Sequence, residues 1–176
     1  MLTKEEAKAY WLDRQKKAQN LMEYKKACLA VLIECASKVL KDGMHPDDEF
    51  CVRLDRTIEL YHQLSVSNAV VHIYVPGSLH KENGRTDQCT LSTAGRRYLV
   101  ERGIPDEVIL GDAENEHYKG DEGVLNSADE CFVASRIFHE GQYRELHCVC
   151  SPIQVTRKWF YYLEFGLVPL IHSMPV

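Results

Sequence analysis

A chain of 176 residues is long enough for one globular domain with a sizeable core. Its 45% apolar and 27% charged residues are ordinary globular usage, which excludes disordered, collagen-like and low-complexity readings. The net charge of −5 argues against a nucleic-acid partner, which needs a basic face.

The charge is unevenly spread. Residues 1–26 carry +3, so the remainder carries −8. Acidity peaks between Asp106 and Glu130, with nine carboxylates against one lysine. That stretch reads either as a solvated acidic surface or as an acidic site rim.

Residues 3–26 read as a helix, with Thr3 as N-cap and Glu6 completing a capping box. Ala7, Trp11, Ala18, Leu21 and Met22 fall on one stripe. Such a helix packs on the domain or on a second copy of the chain, which makes a homodimer through it an expectation. The apolar run Cys28–Ile33 is a first buried strand, and Glu49–Leu64 follows as a helix. Ala69–Val75 is a second strand. Thr90–Arg102 is a helix stopped by Gly103 with Ile104-Pro105 beyond it. Glu107–Leu110 is a short third strand. Asp121–His139 is a helix expected to bury Leu125, Ala128, Phe132, Ala134 and Ile137. Glu145–Cys150 is a fourth strand, with Cys148 and Cys150 on one face. Ser151-Pro152 then opens a helix that Gly166 ends, and Leu167–Ile171 is a fifth strand.

Continuously apolar strands alternating with helices imply parallel pairing and a sheet covered on both faces. The expected organisation is a helix over 1–26 followed by one three-layer α/β domain over 27–176 with a five-stranded parallel sheet. The seven cysteines lack any Cys-x-x-Cys pair, so no metal site is expected, and reduced thiols fit a cytoplasmic protein. No apolar run approaches the roughly 20 residues of a membrane span. No secretory leader pattern is visible.

In open parallel sheets, ligands bind beyond the carboxyl ends of the strands, where strand order reverses. That rule selects the strand-to-helix loops. Glu34 follows the first strand as read, an odd place for an acid if packing alone chose it. Gly77 and Ser78 open the second loop, where backbone N–H groups can approach an anion. Glu114, or alternatively Asp112, follows the third strand, with His117 nearby. Ser151 starts the last helix, and Arg157 lies further along it, a pairing that favours an anion. His45 and His80 in the loops read as solvated, and mid-strand His72 as a hydrogen-bonded core residue. A P-loop and a G-x-G-x-x-G fingerprint are both absent, which removes support for ATP hydrolysis and ordinary dinucleotide binding.

Several segments together resemble the DUF218 family of YdcF/SanA/ElyC-like proteins. They are Val31-Leu32 with Asp42-Gly43, Arg53-Leu54-Asp55-Arg56 and Ile58-Glu59-Leu60-Tyr61; then Val75-Pro76-Gly77-Ser78; then Tyr98-Leu99 with Gly103-Ile104-Pro105 and Ile109; then Asn126; then Ser151, Gln154 and Arg157. The resemblance spans residues 28–172. It implies a Rossmann-like domain with a polar pocket at the strand ends, binding a small anionic metabolite or nucleotide-type cofactor. S-adenosylmethionine is one candidate. By the same resemblance Glu114 is a candidate catalytic acid, and Gly77, Ser78, Asn126, Ser151, Gln154 and Arg157 are the candidate ligand-binding residues; Glu34, where the family has glycine, is the other candidate catalytic acid from its place at the strand end. The chain departs from the family where Gln154 stands in place of its histidine, and glutamine is no general base at neutral pH. A non-catalytic ligand-binding or sensor domain is therefore the competing reading, and an interaction module built on the N-terminal helix is a third.

Overall fold

All six side chains of the first strand, β1 (Ala30–Cys35), are buried, so cover is needed on both of its faces. The computed structural model describes residues 30–36, 38–67, 69–79, 81–82, 85–86, 88–111, 124 and 126–174. The helix predicted over 3–26 lies outside the described residues. After β1 come α1 (Asp48–Val66), β2 (Val70–Tyr74), the two-residue strands β3 (Lys81–Glu82) and β4 (Arg85–Thr86), and α2 (Leu91–Glu101). Then follow β5 (Ile109–Leu110), α3 (Ser127–Glu140), β6 (Glu145–Cys150), α4 (Val155–Glu164) and β7 (Leu170–Ser173). The main sheet has the order β5-β2-β1-β6-β7 and is parallel throughout. β3 and β4 form a separate antiparallel pair inside the loop after β2. This is the three-layer, Rossmann-like α/β fold expected from the strand and helix alternation.

The chain leaves β1 for β2 and β5 on one side, then returns to β6 and β7 on the other. Right-handed crossovers in opposite directions put their helices on opposite faces. Accordingly, Val31, Ile33, Val71, Ile73 and Val149 pack with Phe50, Leu54 and Leu60 of α1 and Leu91, Ala94 and Leu99 of α2. Leu32, Tyr74, Leu146, Cys148 and Cys150 pack with Val133, Ala134 and Ile137 of α3 and Tyr162 of α4. Cys148 and Cys150 thus share a face, as the alternation predicted.

Helix boundaries follow the caps. Asp47 accepts from Phe50 N–H at 2.8 Å to start α1, and Thr90 accepts from Thr93 N–H at 3.0 Å to start α2. α2 and α4 end alike: Gly103 (φ 88°) and Gly166 (φ 74°) take the left-handed conformation. Ile104 N–H then returns to Leu99 O, and Leu167 N–H to Tyr162 O, closing a Schellman motif at each end.

Four expectations are corrected. β1 continues to Cys35 rather than ending at Ile33, which places Glu34 inside the strand; residues 28 and 29 lie outside the described residues. α3 starts at Ser127, not Asp121, because extended Asn126 (φ −152°, ψ 173°) is its cap. Phe132 is exposed: the buried face of α3 is Glu130, Cys131, Val133, Ala134 and Ile137, and Phe132 meets Phe165 edge-on instead. β7 begins at Leu170 because Leu167 is taken up in the stop of α4. His72 is buried and bonded to the Tyr143 hydroxyl at 2.7 Å, as its mid-strand place suggested.

Candidate functional site

The strand order reverses between β1 and β6, so their carboxyl ends form the crevice where ligands of this fold class bind. Two charged clusters flank it, one on each face of the sheet.

On the α3/α4 face, Glu34 is fully buried between Tyr74 and Cys148, its register partners on β2 and β6. Lys158 Nζ donates to Glu34 Oε1 at 2.7 Å and to Glu130 Oε2 at 2.5 Å. Cys148 Sγ donates to Glu34 Oε2 at 2.8 Å. One ammonium therefore ties together β1, α3 and α4. Burial works against the charge on Lys158, but Glu130 and Glu34 outweigh it and hold the ammonium well above its ordinary pKa. Burial pushes the Cys131 thiol up to about 12, against the pull of Lys158. The Tyr162 phenol is raised by burial and by Glu34, and its hydroxyl is buried without a partner among the described residues. The cluster holds two carboxylates and one ammonium, an excess of one negative charge.

On the α1 face, buried Arg53 donates from Nη1 to Ala36 O at 3.0 Å and from Nη2 to Glu49. Lys38 Nζ reaches the same carboxylate at 3.0 Å. Burial opposes the charge on Glu49, but Lys38 and Arg53 prevail and hold it below the usual carboxylate range. Thr57 Oγ donates to Arg53 O at 2.9 Å and braces this turn of α1. Two cations share one carboxylate here, an excess of one positive charge.

Ser78 N–H and Oγ–H both donate to Val124 O, at 3.1 and 2.8 Å. Gly77 (φ 124°) gives its carbonyl to Ser92 N–H at 3.0 Å. These bonds stitch the end of β2 to α2 and to the approach of α3. Asn126 Oδ1 accepts from Ala128 and Asp129 N–H at 2.9 and 3.1 Å. Gln154 Oε1 accepts from Ser151 N–H and Oγ–H at 3.2 and 3.1 Å. Lys158 joins Glu34 of β1 to Glu130 of α3, four residues beyond the Asn126 cap. Arg157 stands apart. It is exposed on the outer side of α4, in an open groove of 520 Å³ lined by Ile153, Thr156, Phe160 and Tyr161. Glu114, Asp112, His117 and His80 lie outside the described residues. His45 is exposed and bonded to Asp42 Oδ2 at 2.6 Å. That bond and the N–H groups of His45 and Met44 hold Asp42 far below the carboxylate range.

Sequence reasoning missed Lys158, Glu130 and the ionic role of Arg53. The signal was there. Lys158 stands four residues before buried Tyr162, and Glu130 stands four before Ala134 and seven before Ile137. A charge on the apolar stripe of a helix is a buried charge. Among the described residues, no group of three or more His, Cys, Asp or Glu is placed to hold a metal ion. No helix among them is long and apolar enough to cross a membrane. No family model, curated protein or solved structure matches this chain.

Proposed function

We propose that the chain is a DUF218-like protein that binds a small anionic molecule, a metabolite or a nucleotide-type cofactor such as S-adenosylmethionine, at the carboxyl ends of β1 and β6. The observation that carries this reading is the pair of ion clusters packed under the point of strand reversal. Burying charge is costly, and buried pairs are poor stabilisers compared with apolar packing, so charge retained at a crevice is a functional candidate. The positive excess lies on the α1 side, at Lys38 and Arg53, and an anion is drawn there.

The polar atoms favour binding over turnover. Ser78, Asn126 and the Ser151–Gln154 turn spend their hydrogen bonds on the protein's own groups. A binding or sensor domain is therefore preferred to an enzyme.

A thermal-shift screen of the full chain against S-adenosylmethionine, nucleotides and sugar phosphates tests the reading. A stabilising hit that disappears in Lys38→Ala and survives in Arg157→Ala supports the β1/β6 site. A hit lost only in Arg157→Ala places the ligand in the outer groove of α4. No hit, or one indifferent to both variants, overturns the proposal.

A further inference from the structure

On the α1 side of the sheet, β6 and β7 carry three polar residues in line. His147 Nε2 stands 3.3 Å from Glu145 Oε2, and His147 Nδ1 stands 2.9 Å from His172 Nε2. The two imidazole planes lie within 7° of each other and their centroids are 5.1 Å apart. With the facing nitrogens only 2.9 Å apart, the rings meet end to end, and the contact is an N–H···N hydrogen bond in the ring plane. The line also has a direction along the sheet. Glu145 is level with Val31 of β1 and His147 with Ile33. His172 is level with Val149, which is itself level with Cys35, the last residue of β1. The chain of groups therefore climbs from the amino end of β6 to the carboxyl rim. His147 is buried, while Glu145 and His172 are half-buried.

We propose that Glu145, His147 and His172 form a single-proton relay that presents His172 as an acid–base group at the carboxyl rim of the sheet. Its use on a ligand rests on the binding reading above; the relay itself does not.

The chemistry fixes the tautomers. A carboxylate only accepts, so His147 carries its proton on Nε2 and gives it to Glu145. Nδ1 of His147 is then the acceptor for His172 Nε2–H, and Nδ1 of His172 keeps a lone pair. When that lone pair takes a proton, the Nε2 proton of His172 passes to His147 Nδ1. The positive charge comes to rest on His147 beside the Glu145 carboxylate. One proton enters and none is lost. A second proton would leave two N–H groups facing each other and break the bond. Among the described residues, the other charged group acting on His172 is Arg56 of α1, itself paired with Glu59 at 2.8 Å. Burial, His147 and Arg56 together hold His172 below its ordinary pKa, which keeps the ring neutral at pH 7. Glu145 and His147 are positioning residues in this scheme.

Imidazole ¹⁵N NMR of the full chain, titrated from about pH 5 to 8 around the ordinary histidine value, tests the relay without any ligand. The expected wild-type spectrum at the neutral, high-pH end shows His147 protonated on Nε2 and not Nδ1, and His172 takes up its proton with a midpoint below 6.5. Glu145→Gln, at a half-buried position, should release the His147 tautomer and move the shared proton uptake to lower pH. His147→Gln should let His172 rise toward its ordinary value. A His147 protonated on Nδ1 at about pH 8, where the pair is neutral, or a His172 titration unmoved by both variants, overturns the relay. Neither result bears on the thermal-shift screen, so the two readings fail separately.

Discussion

The two faces of one sheet solve the same packing problem with different chemistry. On the α1/α2 face, the strands meet the helices through Val31, Ile33, Val71, Ile73, Phe50 and Leu54. The ion cluster of that face is only partly dry: Arg53 is buried, but its partner Glu49 keeps 31% of its side-chain surface exposed. On the α3/α4 face, a lysine and two glutamates sit within the packed layer, with Lys158 and Glu34 wholly inaccessible. A rim charge keeps part of its hydration and tolerates a lost partner. An interior charge does not. The difference predicts where the molecule is brittle.

The sharpest break is Lys158→Met. It leaves Glu34 and Glu130 facing each other in the core without their cation, and should cost about 3–5 kcal/mol in urea unfolding. The triple variant Glu34→Leu, Glu130→Leu, Lys158→Met should recover most of that loss, because apolar groups of similar volume replace buried ion pairs at little or no cost. If Lys158→Met matches wild type, the cluster is no interior strut, and the contrast between the faces collapses.

The same cluster has a pH signature. The folded pKa of Lys158 is raised above its ordinary value of 10.5. The stability it contributes is therefore fully present below 10.5 and is lost as pH rises through 10.5 toward the folded value. The urea midpoint of the wild type should fall above pH 10.5, and more steeply than that of the triple variant. The Tyr162 phenol, raised by burial and by Glu34, acts in the same direction, so both proteins are compared in a Tyr162→Phe background. Equal slopes would remove Lys158 from the account.

The contrast was only partly legible in the sequence. The sheet was, because apolar runs such as Ala69–Val75 and Glu145–Cys150 have strand length and helical periods lie between them. Both stop signals, Gly103 and Gly166, were read at their positions. Glu34 stood out as an acid in an apolar run, yet its partner could not be named, since Lys158 comes to it from 124 residues away. Arg157 drew attention for its charge beside a helix start. One residue further on, a rotation of about 100° on an α-helix turns a solvated cation into a buried one. The His147–His172 bond was invisible for a different reason. It depends on the register of β7 against β6, and β7 was read three residues too early.

On the rim side, Arg53→Met should cost less than Lys158→Met. It strips the donor from Ala36 O but leaves Glu49 hydrated and still paired with Lys38. About 1–3 kcal/mol is expected for the unsatisfied carbonyl. A loss as large as that of Lys158→Met would mean that the rim cluster is as dry as the interior one, and the ligand crevice would then be closed on the α1 side.

The smallest effects separate packing from ligand binding. Asp47 caps α1 on one face and Asn126 caps α3 on the other, through bonds of 2.8 Å and of 2.9 and 3.1 Å. Cap strength depends on local N–H groups and not on which core the helix covers. Asp47→Ala and Asn126→Ala should therefore cost about the same, roughly 1 kcal/mol each, by urea unfolding. The second measurement on these variants is the thermal shift with whatever anion stabilises the wild type. If Asn126 is a cap and nothing more, both variants keep the full shift. If Asn126→Ala loses the shift at the same small stability cost, its amide serves the ligand as well as the helix, and the crevice extends from the positive rim of α1 across β1 to the start of α3.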